Sequence, residues 1–130
     1  MDPALLDSGL AAALGLRFDA VGADEVVISW TVDERHLQPY GVVHGGVYCA
    51  VNETAASVAG SLWFGDRGRA VGVSNTTDFL RQAELGTDLT ATASPVHRGR
   101  LQQLWSVETH DGDSRLVARG QVRLQNLPVD

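Results

Sequence analysis

The 130-residue chain has one cysteine, Cys49, which leaves no intrachain disulfide and fits a reducing compartment. It also lacks an excess of positive charge. Ten Lys and Arg against sixteen Asp and Glu give a net charge of −6, and the pI is near 5.0. Nucleic acid and anionic membrane are therefore not expected as main partners. No basic segment precedes an apolar run at Met1-Asp2-Pro3, so no secretory signal is read and a cytoplasmic location is expected. Residues 42–64 are long enough to span a bilayer, but His44, Asn52, Glu53, Thr54 and several glycines make them a poor membrane helix. His36, His44, His97 and His110 show no metal-ligand spacing, and neither a Gly-x-Ser-x-Gly nor a P-loop pattern occurs. No metal and no organic cofactor are expected. There is no repeat, low-complexity tract or linker, so residues 1–130 read as a single domain, with a hydrophobic content of 44% that suits a packed core.

Asp2 and Pro3 open a short N-terminal helix carrying Leu5, Leu6, Leu10, Ala13 and Leu14, with Gly15 as its stop. Val26, Ile28, Trp30 and Val32 alternate with polar or smaller residues in a strand pattern. Residues 37–43 hold Pro39 and Gly41 and read as loop. A long apolar helix follows over about 45–63, closed by Gly65-Asp66-Arg67-Gly68. Four strands at hairpin spacing complete the chain. They are marked by residues 70–80, by Leu89, Ala91 and Ala93, by Leu101, Trp105 and Val107, and by Leu116, Ala118, Val122 and Leu124. Arg98-Gly99-Arg100 and Asp111-Gly112 read as turns, and Gly120 as a bulge. The order helix, strand, long helix, four strands implies an α+β fold in which an antiparallel sheet folds around one buried helix.

Chemistry concentrates on that helix. Glu53 is the sole Asp, Glu, Lys or Arg between Arg35 and Asp66. A helix apolar on all sides is buried, and a lone carboxylate on it is costly unless it has partners or a task. Gly45 and Gly46 lie in its first turn, where N–H groups lack intrahelical partners and the dipole favours negative charge. Such a turn suits the oxyanion of a thioester or ester carbonyl. At 1.5 Å per residue, Glu53 lies roughly 10–12 Å further along the axis. One scissile carbonyl cannot reach both on one helix, so a symmetric dimer is expected in which a second copy supplies the carboxylate. Ser57, four residues after Glu53, shares its face and is placed to hold the carboxylate or a water. Cys49, Ala56, Ser57 and Gly60 give that face small residues suited to a partner helix or substrate. Val47, Val51, Ala55, Val58 and Leu62 form the stripe expected to face the sheet. Cys49 and His44, five residues apart, point away from each other and do not read as a nucleophile pair.

Gln38-Pro39-Tyr40-Gly41-Val42-Val43-His44-Gly45-Gly46-Val47-Tyr48, with Glu53 nine residues after the histidine, resembles the hotdog-fold acyl-CoA thioesterases. The resemblance is nearest to the 4-hydroxybenzoyl-CoA type with a glutamate on the central helix. The phenylacetate-pathway and 1,4-dihydroxy-2-naphthoyl-CoA thioesterases are similar. It implies that Glu53 is nucleophile or general base, that Gly45 N–H polarises the carbonyl, and that His44 and Gln38 orient loop and substrate. Ser57 stands where the family often has Thr, and Asp78 where many relatives carry Asn. The resemblance further implies a homodimer with shared sites, assembled as a dimer of dimers, and an acyl-CoA substrate with an aromatic or medium-length acyl group. Coenzyme A phosphates call for basic residues, for which Arg98 and Arg100 around Gly99, and Arg81, are candidates. Two other readings stand beside hydrolysis. One is a hotdog hydratase or dehydratase, which generally pairs a carboxylate with a histidine from another motif. The other is a non-catalytic acyl-CoA binding module.

Overall fold

The computed structural model describes residues 2–129. Its six-stranded sheet runs in the order β1-β2-β4-β5-β6-β3, every neighbouring pair antiparallel. The strands are β1 (Arg17–Val21), β2 (Val26–Thr31), β3 (Gly68–Phe79), β4 (Asp88–Arg98), β5 (Gln102–Asp111) and β6 (Leu116–Pro128). The helix α1 (Gly9–Ala13) precedes the sheet, and the central helix α2 (Gly45–Phe64) packs across it. This is the hotdog arrangement, a sheet wrapped around one long helix.

The α2 boundaries follow from local chemistry. His44 caps the N-terminus, its Nδ1 accepting from Gly46 N–H at 2.8 Å. Gly65, at φ +62°, turns the chain out of the helix in a conformation that favours glycine. Twenty residues at 1.5 Å rise make a rod of roughly 30 Å. Val47, Val51, Ala55 and Val58 are buried against the inward residues of the sheet, including Ile28, Trp30, Leu89, Trp105, Val107 and Leu124.

Four expectations change. The N-terminal segment is a 3-10 turn over Pro3–Asp7, capped by Asp2, and then the five-residue α1, rather than one helix. A sixth strand, β1, precedes the five expected; only Phe18 in it is even half-buried, so it lacks an apolar alternation. Leu101 is exposed, and Gln103 takes the inward position ahead of Trp105. Gly120 is no bulge: it pairs in register with Thr77 and Val107, while the register shift between β3 and β6 leaves Val73 as the extra residue.

Gln103 and its neighbours form a buried polar cluster under the end of α2. Gln103 Nε2 donates to Gly60 O at 3.2 Å and to Asn126 Oδ1 at 2.7 Å, while Trp105 Nε1 donates to Gln103 Oε1 at 2.8 Å. Asn126 Nδ2 donates to the turn carbonyls of Gly99 and Arg100. Asn126→Ala removes the acceptor of a buried amide and frees the turn. It is expected to destabilise the protein by about 1–3 kcal/mol in denaturant unfolding.

Candidate active site

Glu53 lies in the middle of α2, half-buried, with its carboxylate over the edge strand β3. A Cβ on Gly72 would sit 2.6 and 2.7 Å from the two carboxylate oxygens, so the glycine vacates the place the carboxylate takes. Ser57 Oγ donates to Glu53 Oε2 at 3.5 Å. Desolvation raises the Glu53 pKa above its ordinary value, and the Ser57 hydrogen bond opposes that only in part. The sequence thus placed Glu53 and Ser57 together correctly. Of the other small residues expected on that face, Ala56 and Gly60 point into the protomer, with Gly60 against Leu124 and Gln103. Cys49 and Ser57 remain half-buried.

The start of α2 forms the second part of the site. The loop before it is pinned by His36, which is 1% exposed. Its Nδ1 accepts from Asp33 N–H, its Nε2 donates to Leu14 O, and its carbonyl accepts from His44 N–H. Gln38 Oε1 accepts from Tyr40 N–H, and Gln38 O from Gly41 N–H, closing the turn that delivers His44. Gly46 N–H is taken by His44 Nδ1 and Val47 N–H by His44 O, which leaves Gly45 N–H as the first unassigned donor of the helix. Gly45 opens onto a pocket of about 460 Å³ lined by Gln38, Val42, Tyr48, Phe79, Leu80 and Arg81, among others. The Phe79 ring covers Gly45 so closely that a Cβ there would lie 2.6 Å from its Cζ.

The structure brings Gln38, Gly45 and Arg81 to this pocket's wall, keeps His44 beside Gly45 as the helix cap, and places Glu53 with Ser57 on a separate stretch of the same helix. Arg98, Gly99 and Arg100 are elsewhere, at the β4–β5 turn beyond the C-terminal end of α2. Arg98 Nη1 donates to Asp24 Oδ1 at 2.7 Å and to Ala23 O, and the guanidinium stacks near Trp63 and Trp105. Arg100 is exposed and shares a second pocket, of about 510 Å³, with Gly99, Arg67 and Phe64. Nothing in the sequence around Phe79 and Gly72 marks them as site residues, because only the pairing of β3 shows what they face.

The thioesterase superfamily profile matches residues 40–118, which include the α2 start, Glu53 and Gly72. The Mycobacterium tuberculosis protein Rv1847 is 51% identical over 117 residues, spanning 88% of this chain and 83% of that one. The 1,4-dihydroxy-2-naphthoyl-CoA hydrolase of Escherichia coli is 31% identical over 113 residues, 87% of this chain and 82% of that one. The crystal structure of S. sahachiroi AziG superposes with a TM-score of 0.91 at 54% identity, covering 94% of this chain and 98% of that one. The chain belongs to the thioesterase superfamily and is a hotdog-fold thioester hydrolase.

Proposed function

We propose that the protein hydrolyses acyl-CoA thioesters with aromatic or medium-length acyl groups, at sites shared between two protomers. The observation that carries this reading is a half-buried carboxylate, Glu53, held on the edge strand of the sheet with Ser57 as its hydrogen-bond donor. β3 is twelve residues long and ends the sheet. It exposes Val71 and Val73. A long apolar edge left open is an aggregation hazard, and pairing with a second copy removes it. Gly45 and Glu53 are eight residues apart, roughly 12 Å along the axis. An acyl carbonyl bound at Gly45 of one protomer therefore takes its carboxylate from the partner.

In that arrangement Gly45 N–H hydrogen-bonds the carbonyl oxygen as negative charge develops there. Glu53 either attacks the carbonyl carbon, giving with loss of the coenzyme A thiolate a mixed anhydride that water then cleaves to the free acid and the restored carboxylate, or removes a proton from a water that attacks the carbonyl, after which the carbon–sulfur bond breaks to leave the free acid and the thiolate, which takes up the proton. His44 and Gln38 hold the loop that presents Gly45, and Ser57 holds the carboxylate. Val42, Tyr48, Phe79 and Leu80 offer apolar and aromatic surface to the acyl group, in a pocket of ordinary ligand size. Arg81 on its wall is the phosphate partner this geometry favours; Arg98 is engaged with Asp24. Arg100 is left as a phosphate partner for the outer end of coenzyme A.

The test is a panel of benzoyl-, phenylacetyl-, naphthoyl-, hexanoyl- and acetyl-CoA, read by thiol release. Aryl or medium-chain esters are expected to exceed acetyl-CoA by at least about tenfold in kcat/KM, the value of one or two buried apolar groups. Equal turnover of all five rejects the assigned acyl class. Tight binding without thiol release indicates a binding module. Loss of enoyl absorbance from crotonyl-CoA indicates a hydratase.

A further inference from the structure

Beside the Glu53 turn, a chain of polar side chains joins α2 to β3 where apolar packing would serve a purely structural purpose better. Asn52 is fully buried; its Nδ2 donates to Thr77 Oγ1 at 3.2 Å. Thr77 Oγ1 donates to Asn75 Oδ1 at 2.8 Å. Asn75 Nδ2 donates to Cys49 O at 3.0 Å. In an α-helix that carbonyl also accepts the N–H of the residue four further on, which is Glu53. Asn75 thus grips the acceptor end of the hydrogen bond that carries Glu53, and Thr77 holds Asn52, the residue before it.

Two glycines seat the arrangement. A Cβ on Gly120 would lie 2.8 Å from both Asn52 Nδ2 and Thr77 Oγ1. Gly72 does the same for the Glu53 carboxylate. The sheet is hollowed under both members of the Asn52–Glu53 pair.

The bridge also carries a stability cost. Asn52 Oδ1 is buried and has no hydrogen-bond partner among the described residues. A half-satisfied buried amide is worse for stability than an apolar residue of similar size. Departures of that kind concentrate at functional sites. We infer that Asn52, Thr77 and Asn75 are positioning residues that fix the helical turn of Glu53 against β3, so that the carboxylate is held at the reacting carbonyl of the partner's site. This rests on the reading of Glu53 as the reacting carboxylate.

Thr77→Val keeps the shape and removes both hydrogen bonds of the hydroxyl. Asn75→Ala removes the grip on Cys49 O, which keeps its helical bond. Each is expected to lower kcat by about 10- to 100-fold, the range for a misplaced group, with KM within about twofold. Thr77→Ser restores the hydroxyl and is expected to return kcat to within about twofold of the starting protein. Unfolding midpoints and thiol release are measured on the same dimeric preparations, with Glu53→Gln alongside. If the Thr77 and Asn75 variants lose stability while kcat per folded enzyme is unchanged, the bridge is structural and the inference fails. If Thr77→Ser stays as slow as Thr77→Val, the hydroxyl is not the cause and the inference fails. Should Thr77→Val not fold, Asn75→Ala decides by the same kcat and KM criteria. Full activity in Glu53→Gln instead overturns the role of the carboxylate itself, a result separable from wild-type kcat in the bridge variants with an inactive Glu53→Gln.

Discussion

Glu53→Gln is expected to lower kcat for the best acyl-CoA ester by at least about 10²-fold, with the dimer intact. Glutamine keeps the shape and the Ser57 contact but has neither the charge to attack a carbonyl nor the basicity to take a proton from water. No other acid on its own helix can substitute, because Glu53 is the lone carboxylate from residue 36 to residue 65. Stability is expected to move the other way. Burial raises the Glu53 pKa, so folding disfavours the ionised form. At neutral pH the wild-type carboxylate is a burden on the fold, and the neutral amide removes it. As pH falls through the raised native pKa the wild type takes up its proton, and its stability deficit relative to Glu53→Gln shrinks; below the unfolded-state value the difference stops changing. Activity follows the opposite sign. With Glu53 as the proposed reacting carboxylate the ionised form does the chemistry, so kcat/KM drops as pH falls through the same native pKa, above the range of an ordinary glutamate. Thermal unfolding and thiol release across an acid-to-neutral series measure both. A Glu53→Gln protein that retains wild-type kcat, or a wild-type acid limb at an ordinary glutamate pKa, contradicts this account.

The legible part of the molecule was the part governed by local patterns. His44-Gly45-Gly46 and the apolar run after it fix α2 to within a residue of its observed end at Phe64, because capping and a positive-φ glycine are local events. The alternation of Val26, Ile28, Trp30 and Val32, and of Leu89, Ala91 and Ala93, marks strands with one buried face, and all seven are buried. Ser57 under Glu53 follows from helical spacing alone. What stayed hidden depends on which strand lies beside which. β1 pairs only with β2 at the end of the sheet, so its residues are under little pressure to alternate. Gln103 fills an inward position because Gly60 O and Asn126 await it, and no window of neighbouring residues contains those partners. Arg98 in a turn reads as a free cation until Asp24, far away in the chain, is folded against it. The seat of the carboxylate is the extreme case: Gly72 is nineteen residues from Glu53, and nothing in its own surroundings says what occupies its missing side chain.

That seat yields a second large effect from a single methyl group. Gly72→Ala is expected to cut kcat by about 10- to 100-fold, because a displacement of about 1 Å at a reacting group is enough to do so. The added Cβ would meet Glu53 Oε2 at 2.6 Å, Oε1 at 2.7 Å and Cδ at 2.9 Å, all at the far end of a flexible side chain. The carboxylate yields rather than the backbone, so the fold survives. Gly72 is not among the glycines with positive φ, and alanine therefore fits its strand conformation. In a strand interior, alanine is favoured over glycine by roughly 0.5–1 kcal/mol through the unfolded chain's entropy. The unfolding midpoint is expected to stay level or rise while turnover collapses. The two readouts part company here, which separates a displaced carboxylate from a damaged protein. The pH profile adds a sign: a carboxylate pushed off the strand into water loses its desolvation, and the acid limb of the residual activity moves to lower pH. Sedimentation of the same sample checks that the proposed dimer survives the substitution. An alanine variant that is dimeric and as fast as the wild type would mean that Glu53 acts from somewhere other than its place over Gly72.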